Sequence, residues 1–460
     1  MKHYDIVVLG GGPGGYVAAI KASQMGAKTA LIEKKDLGGV CLNWGCIPTK
    51  TLLKSAKVYH YVKNASTFGI DIADDAKISL NWPNMIKRKD NVVKKLTGGV
   101  KVLLDKNGVD TYIGEGKVID KNTLEVNGEI ISTKNLIIAT GSKPFIPPIK
   151  GIDEGLKSSF VLTSKEILSL NELPKKLVII GGGVIGVEFA SLLSELNCEV
   201  TIVEKAPYIL INNDQDIRKA MVKLLEKQGI KIFTSADVQE IKNGQIVVNI
   251  NDKEKILSSD KVLVSIGTRP NLDNLTHLGL ELERSAIKTN EKMETNIKGV
   301  YAIGDVNGKY MLAHVASHEG IVAVENILGH PSILDYQKIP SGIYTSPEIA
   351  SVGLTEEQAK EKGLDYKIGI FPLGANGKAL AEGDTEGFVK VIADKKYGEI
   401  LGVHILSPNA TDMIAELVVT MNLEATIYDI ANSIHPHPTL SEAIMEASLS
   451  AIDKAIHALK

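Results

Sequence analysis

The sequence predicts an α/β protein: two Rossmann-like modules in succession, followed by a separate C-terminal α+β domain. Three observations carry this. DIVVLGGGPGGYVAAIKASQMGAKTALIEK, residues 5–34, matches KLVIIGGGVIGVEFASLLSELNCEVTIVEK, residues 176–205, without a gap. A shorter repeat follows each copy, LIIATGSKP at 136–144 and VLVSIGTRP at 262–270. From about residue 340 the pattern changes to short strands (GFVKVIAD, ILGVHIL) and helical stretches (ATDMIAELVVTMNL, SEAIMEASLSAIDKAIHAL).

Each long copy opens with an apolar run too short for a helix and suited to a buried parallel strand. A G-x-G-x-x-G turn comes next, formed by Gly10, Gly12 and Gly15 in one copy and Gly181, Gly183 and Gly186 in the other. A helical stretch and a second apolar strand complete a βαβ unit. About 20 residues beyond the turn stands an acid, Glu33 or Glu204, placed to accept from a ribose hydroxyl. The first glycine permits the tight turn. The second lets the backbone approach a pyrophosphate, which the helix N-terminus attracts, and the third lets helix and strand pack closely. Strand, helix and acid in both copies make a Gly-rich turn without ligand the weaker reading. Because both acids are Glu, a ribose 2′-phosphate is disfavoured and the second nucleotide is expected to be NAD rather than NADP.

The short repeats each end a strand in Gly, a hydroxyl residue, a cation and Pro, as if closing a module. KPFIPPIKG, 143–151, reads as a stiff connector. TNIKGVYAIGDV, 295–306, adds another short strand ending at Gly304-Asp305. The expected boundaries are 1–145, 146–270, 271–339 returning to the first site, and 340–460.

The 460 residues are 44 % hydrophobic and 23 % charged, ordinary for a globular chain, and the net charge of −3 points to neither nucleic acid nor an anionic membrane. No apolar run reaches ~18 residues, so no membrane span is expected. MKHYDIVVLGGG enters a strand directly, without a signal or transit pattern, and predicts a cytoplasmic or already processed chain. Three cysteines are too few for a disulfide framework.

Two of them, Cys41 and Cys46, stand five apart in GGVCLNWGCIPTK. The spacing is wrong for C-x2-C zinc sites and no second pair exists. An inert buried pair and a redox-active disulfide remain, the second being the sharper reading. On a regular helix, positions five apart lie about 8.5 Å apart between Cα atoms, whereas a disulfide needs roughly 4.4–6.8 Å. A bridge therefore requires a distorted backbone, for which Gly45 and Pro48 supply the means. A helix starting near Cys46 would also lower that thiol's pKa. HPHPTLSE, 435–442, offers a proton acceptor, His437, with Glu442 to orient it. Its blander reading is a surface loop with two histidines.

These motifs, with MLAHVASHEG at 311–320, resemble the pyridine nucleotide–disulfide oxidoreductases over essentially the whole chain. They most resemble the members that oxidise a dihydrolipoyl group. The resemblance implies FAD at the first fingerprint, with Glu33 on the adenosine ribose and Asp305 on the ribityl chain. Gly116, Thr140, Gly141, Ser142, Met311, Leu312, Ala313 and His314 would also meet FAD. NAD would bind the second fingerprint, including Val184 and Ile185, with Glu204, Val238 and Gly267. Lys50 would stand near flavin N5, with Glu188 contacting it and the nicotinamide side. Cys41 would be the interchange thiol, Cys46 the thiol against the flavin, and His437 with Glu442 the base, reaching the cysteines of the other subunit. The implied reaction is oxidation of protein-bound dihydrolipoamide with reduction of NAD+. The implied partners are a second copy and the lipoyl domains and E2 core of a 2-oxoacid dehydrogenase complex, or the glycine-cleavage H protein. The domain from 340 on would be the dimer interface. No lipoyl-bearing domain precedes the first strand, so a partner is expected to bring that group.

A glutathione reductase would favour NADPH, which Glu204 opposes; a mercuric reductase would carry a C-terminal cysteine pair; a transhydrogenase would lack Cys41 and Cys46. A scaffold subunit would give no reason for the cysteines and the His437–Glu442 pair. Two residues depart from the family pattern: Val40 replaces a Thr, and Trp44 replaces a small apolar residue, which is expected to narrow the site or alter flavin fluorescence. Cys198 is expected to be a packing cysteine. The Lys run in IKRKDNVVKKL is expected to be a solvated helix face.

Overall fold

A computed structural model describes residues 1–73, 76–242 and 244–457. The first module is built on β1 (Lys2–Leu9), α1 (Pro13–Gln24) and β2 (Thr29–Glu33). β1 is central because Ile6, Val7 and Val8 are wholly buried, so both faces must be covered. It pairs in parallel with β2 on one side and with Glu129–Ile138 on the other. The fingerprint glycines lie between β1 and α1, with Gly12 as the helix N-cap and Pro13 as its first residue.

Two helices follow β2: α2 (Gly39–Trp44) and α3 (Cys46–Lys63). Then comes the long α4 (Trp82–Lys106). Trp82, Lys89, Val100 and Leu104 are its buried residues. Lys89 corrects the expectation of a wholly solvated lysine face. It stands seven residues, two turns, after Trp82 and so shares the core-facing stripe, its ammonium 2.5 Å from Asp90.

The second module repeats the plan with β3 (Lys176–Ile180), α5 (Val184–Glu195), β4 (Glu199–Val203) and α6 (Gln215–Lys227). Its five-stranded sheet is parallel throughout. The two short repeats pair with each other, Ser142–Pro144 antiparallel to Thr268–Pro270, and form the crossing between modules.

The chain then returns to the first module. Val300–Ala302 pairs in parallel with Leu136–Ile138, and α7 (Ala313–Ile327) packs on α1. Glycine makes that contact close: a Cβ on Gly320 would stand 2.7 Å from the Gly14 carbonyl oxygen.

The last domain is a five-stranded antiparallel sheet. It contains β5 (Phe388–Asp394) and β6 (Ile400–Ser407), with α8 (Glu356–Glu361), α9 (Ala410–Asn422) and α10 (Glu442–Ser450) around it. The helix expected over 441–459 ends at Ser450, where the chain turns; residues 458 and 459 lie outside the described residues. No described helix is long and apolar enough to cross a membrane.

Candidate active site

One cavity of about 1920 Å³ runs from the first fingerprint past Cys41 and Cys46 to the second. Its two ends are built alike. Gly10 and Gly181 have φ of +111° and +109°, conformations open to glycine. A Cβ on Gly10 would run into the Ala139 carbonyl, one on Gly15 into the Gly10 carbonyl, and one on Gly186 into the Gly181 carbonyl. The middle glycines differ. A Cβ on Gly12 would meet only Gly39 Cα, at 3.9 Å, and one on Gly183 would meet nothing within 4 Å. The outer glycines thus serve the fold, while Gly12 and Gly183 line open space that a pyrophosphate fits and a methyl would fill.

The acids are held identically. Glu33 accepts from the N–H of Gly11 (2.7 Å) and of Lys35 (2.8 Å). Glu204 accepts from the N–H of Gly182 and of Ala206, both at 2.6 Å. Each carboxylate is fixed at the rim of its cradle with lone pairs left to accept further hydrogen bonds.

Between the cradles, Cys41 and Cys46 form a disulfide with Cα atoms 4.7 Å apart. Helix geometry is broken at Gly45 (φ −138°, ψ −113°), between the end of α2 and the start of α3. Cys46 is therefore the first residue of an 18-residue helix, where free N–H groups and the helix dipole favour a thiolate. One turn on, Lys50 Nζ lies 2.9 Å from both Glu188 oxygens and 4.4 Å from the Tyr344 ring centre. Tyr344 N–H donates to Glu188 Oε1 at 2.9 Å. Sequence reasoning missed Tyr344, which lies in no motif and reaches the site from the last domain.

Asp305 accepts from Ser142 Oγ at 2.6 Å; burial raises its pKa, and this bond only partly offsets the effect. Its turn is braced by Glu319, fully buried, which takes the Gly304 N–H (2.6 Å) and the Asn307 amide (2.9 Å). Glu319 was legible only as a letter in MLAHVASHEG. Thr140 Oγ1 donates to the Asn271 carbonyl, and Thr268 Oγ1 approaches Met311 Sδ at 2.9 Å. His314 Nε2 donates to the Pro340 carbonyl, and burial lowers its pKa. Gly116, Gly141, Leu312, Ala313, Val184, Ile185, Val238 and Gly267 also line the cavity, whereas Gly186 does not. Val40 and Trp44 line it too; Trp44 packs on the second module's core with Lys165 Nζ 4.7 Å from its ring centre.

His437 and Glu442 lie outside this cavity. His437 is 76 % exposed, with Nδ1 2.9 Å from Glu442 Oε1. A carboxylate only accepts, so the proton between them is carried by His437 Nδ1. Burial alone would raise Glu442, but the Thr439 N–H and the His437 ring outweigh it and hold its pKa below the usual value. Cys198, the free cysteine among the described residues, is buried, and burial pushes its thiol up to about 12; it is inert.

Residues 4–320 match the pyridine nucleotide-disulphide oxidoreductase family, and residues 339–448 match its dimerisation domain. A dihydrolipoyl dehydrogenase of Bacillus subtilis is 46 % identical, with 99 % of each chain covered. A mitochondrial dihydrolipoyl dehydrogenase of Arabidopsis thaliana is 44 % identical, with 98 % of this chain and 91 % of that one covered. Among solved structures, the HOCl-induced flavoprotein disulfide reductase RclA of Escherichia coli superposes with a TM-score of 0.86 at 29 % identity, covering 97 % of this chain and 99 % of that one. Two alike nucleotide cradles with a disulfide in the cavity between them, followed by a dimerisation domain, place this chain in the pyridine nucleotide-disulphide oxidoreductase family.

Proposed function

We infer that the protein catalyses the dihydrolipoyl dehydrogenase reaction: a dihydrolipoyl dithiol and NAD+ give the cyclic disulfide, NADH and a proton. The observation that carries this is the Cys41–Cys46 disulfide lying in one cavity between two dinucleotide cradles. The full-length relatives that bear this name support it. The cofactors are FAD and NAD, and the protein works as a homodimer.

In this reading the partner subunit's His437 takes a proton from the substrate thiol through Nε2, its Nδ1–H held by Glu442. The substrate thiolate attacks Cys41 Sγ, and the Cys41–Cys46 bond breaks with Cys46 leaving as thiolate. The second substrate thiol then attacks the substrate sulfur bound to Cys41; the mixed disulfide breaks and Cys41 leaves as a thiol, taking the attacking thiol's proton. This closes the substrate disulfide and leaves a reduced cysteine pair, so two electrons have moved. The α3 N-terminus stabilises the Cys46 thiolate. Lys50, paired to Glu188, lines the cavity one helical turn from Cys46, where it would meet the flavin. Glu33 and Asp305 would hold FAD in the first cradle, where it would supply the two-electron relay between the cysteine pair and NAD+. Glu204 would repel a 2′-phosphate, which favours NAD over NADP. The lipoyl group is brought by a partner, either the lipoyl domains of a 2-oxoacid dehydrogenase E2 core or the glycine-cleavage H protein. A cytoplasmic setting, where structural disulfides are rare, belongs to the same reading.

Anaerobic addition of dihydrolipoamide should raise a long-wavelength thiolate-to-flavin band that bleaches on adding NAD+ as NADH appears. Cys46→Ser should abolish both. NADH formation undiminished in that variant would overturn the mechanism.

A further inference from the structure

The segment 205–213 follows Glu204 and walls the second cradle, with Tyr208, Leu210 and Ile211 lining the cavity. It folds over the fingerprint: Leu210 N–H donates to the Gly182 carbonyl at 2.8 Å, and a Cβ on Gly182 would stand 2.5 Å from Ile209 Cγ2. This conformation is not intrinsically favoured. Leu210 has φ +51°, a left-handed backbone that disfavours a residue with a branched side chain. Something must hold it.

Arg218 on α6 does so. Its Nη1 donates to the Ile211 carbonyl at 3.0 Å, and its guanidinium lies 4.9 Å from the Tyr208 ring centre. Its other arm, Nη2, is held by Glu357 at 2.5 Å. At the end of the segment, Asp214 is fully buried and pairs with Lys390 Nζ at 3.0 Å. Lys390 also binds Asp216 (2.6 Å) and Glu356 (2.7 Å). Glu356, Glu357 and Lys390 belong to the dimerisation domain, not to the nucleotide module.

We propose that Arg218 is a positioning residue for the second nucleotide, and that the dimerisation domain sets NAD affinity through it. Glu357 aims the guanidinium, Lys390 anchors Asp214, and Arg218 keeps the 205–213 segment closed on the cradle beside Glu204. The inference rests on the reading of the second cradle as the NAD site. It concerns the adenosine end, so binding changes while chemistry at the disulfide does not.

The test uses the FAD-loaded homodimer of Glu357→Gln and Arg218→Met. Binding of NADH is read by its fluorescence, and flavin reduction by dihydrolipoamide is read separately. Losing a charge-assisted bond should weaken NADH binding and raise the KM for NAD+ about tenfold, with kcat and the dihydrolipoamide half-reaction unchanged. Arg218→Lys, which reaches one partner instead of two, should fall between. NADH binding within twofold of the parent in Glu357→Gln overturns the proposal, and that half-exposed residue decides the matter even if Arg218→Met does not fold. A fall in both half-reactions together also overturns it, marking a general structural role. Parent protein that binds NADH but is not reduced by dihydrolipoamide would instead sink the lipoyl reading and leave this one standing.

Discussion

At the scale of single residues, the fingerprint glycines separate what the fold needs from what a ligand needs. Gly10→Ala places a methyl against the Ala139 carbonyl at a φ of +111°. It should cost ~3 kcal/mol or more and yield protein that fails to retain FAD, seen as a lost visible spectrum. Gly183→Ala meets nothing in the protein. Its melting temperature and flavin content should match the parent, while the KM for NAD+ rises because the methyl occupies the space of a pyrophosphate. An unchanged KM would mean that the second cradle does not bring its backbone against a phosphate.

At the scale of elements, the redox pair depends on a helix being interrupted. α2 and α3 would merge into one helix if residue 45 were helical, and the cysteines would then stand about 8.5 Å apart. Gly45 prevents this, and a Cβ there would lie 2.9 Å from the Val40 carbonyl oxygen and 3.2 Å from Cys41 Cα. Gly45→Ala should therefore hinder closure of the disulfide. Thiol titration of the denatured, unreduced protein should find the Cys41 and Cys46 thiols in a larger fraction of molecules than in the parent. Full retention of the disulfide would show that the break is imposed by packing around α2 rather than by Gly45.

At the scale of the whole molecule, Lys390 ties the nucleotide module to the dimerisation domain. Burial pushes its pKa down, but Asp216, Glu356 and Asp214 outweigh this and raise it above the usual lysine value. Burial pushes Asp214 up, yet the His404 ring, the Glu356 N–H and Lys390 together bring it below the usual carboxylate range. A raised lysine contributes below its unfolded pKa of ~10.4, and a lowered aspartate contributes above ~3.9. The cluster's contribution is thus present between those values, fading as pH falls through the lowered Asp214 value or rises through the raised Lys390 value. Lys390→Met should cost roughly 3–5 kcal/mol at neutral pH by stranding the buried Asp214 carboxylate. In the variant, burial without its lysine partner raises the Asp214 carboxyl, so the deficit should narrow as pH falls and that group protonates, which melting temperatures at pH 8 and pH 5 would reveal. A deficit independent of pH would mean that lost packing, not charge, is responsible.

Both cradles were legible as letters because their chemistry is local. A tight turn, a helix N-terminus and an acid at the end of the next strand are fixed by ~30 contiguous residues, so Gly10 to Glu33 and Gly181 to Glu204 announce themselves. Cys41 and Cys46 were legible as a pair, with Gly45 as the residue that permits a bridge. Other features join residues far apart in the chain, and nothing local encodes them. The short repeats at 142–144 and 268–270 pair with each other. Tyr344 sends its N–H to Glu188. Glu319 braces the turn of Asp305. Lys390, a charge in a strand that reads as apolar, finds Asp214 across a domain boundary. Periodicity and spacing describe how a segment folds on itself; which segments then meet is decided by packing, and packing alone placed these contacts.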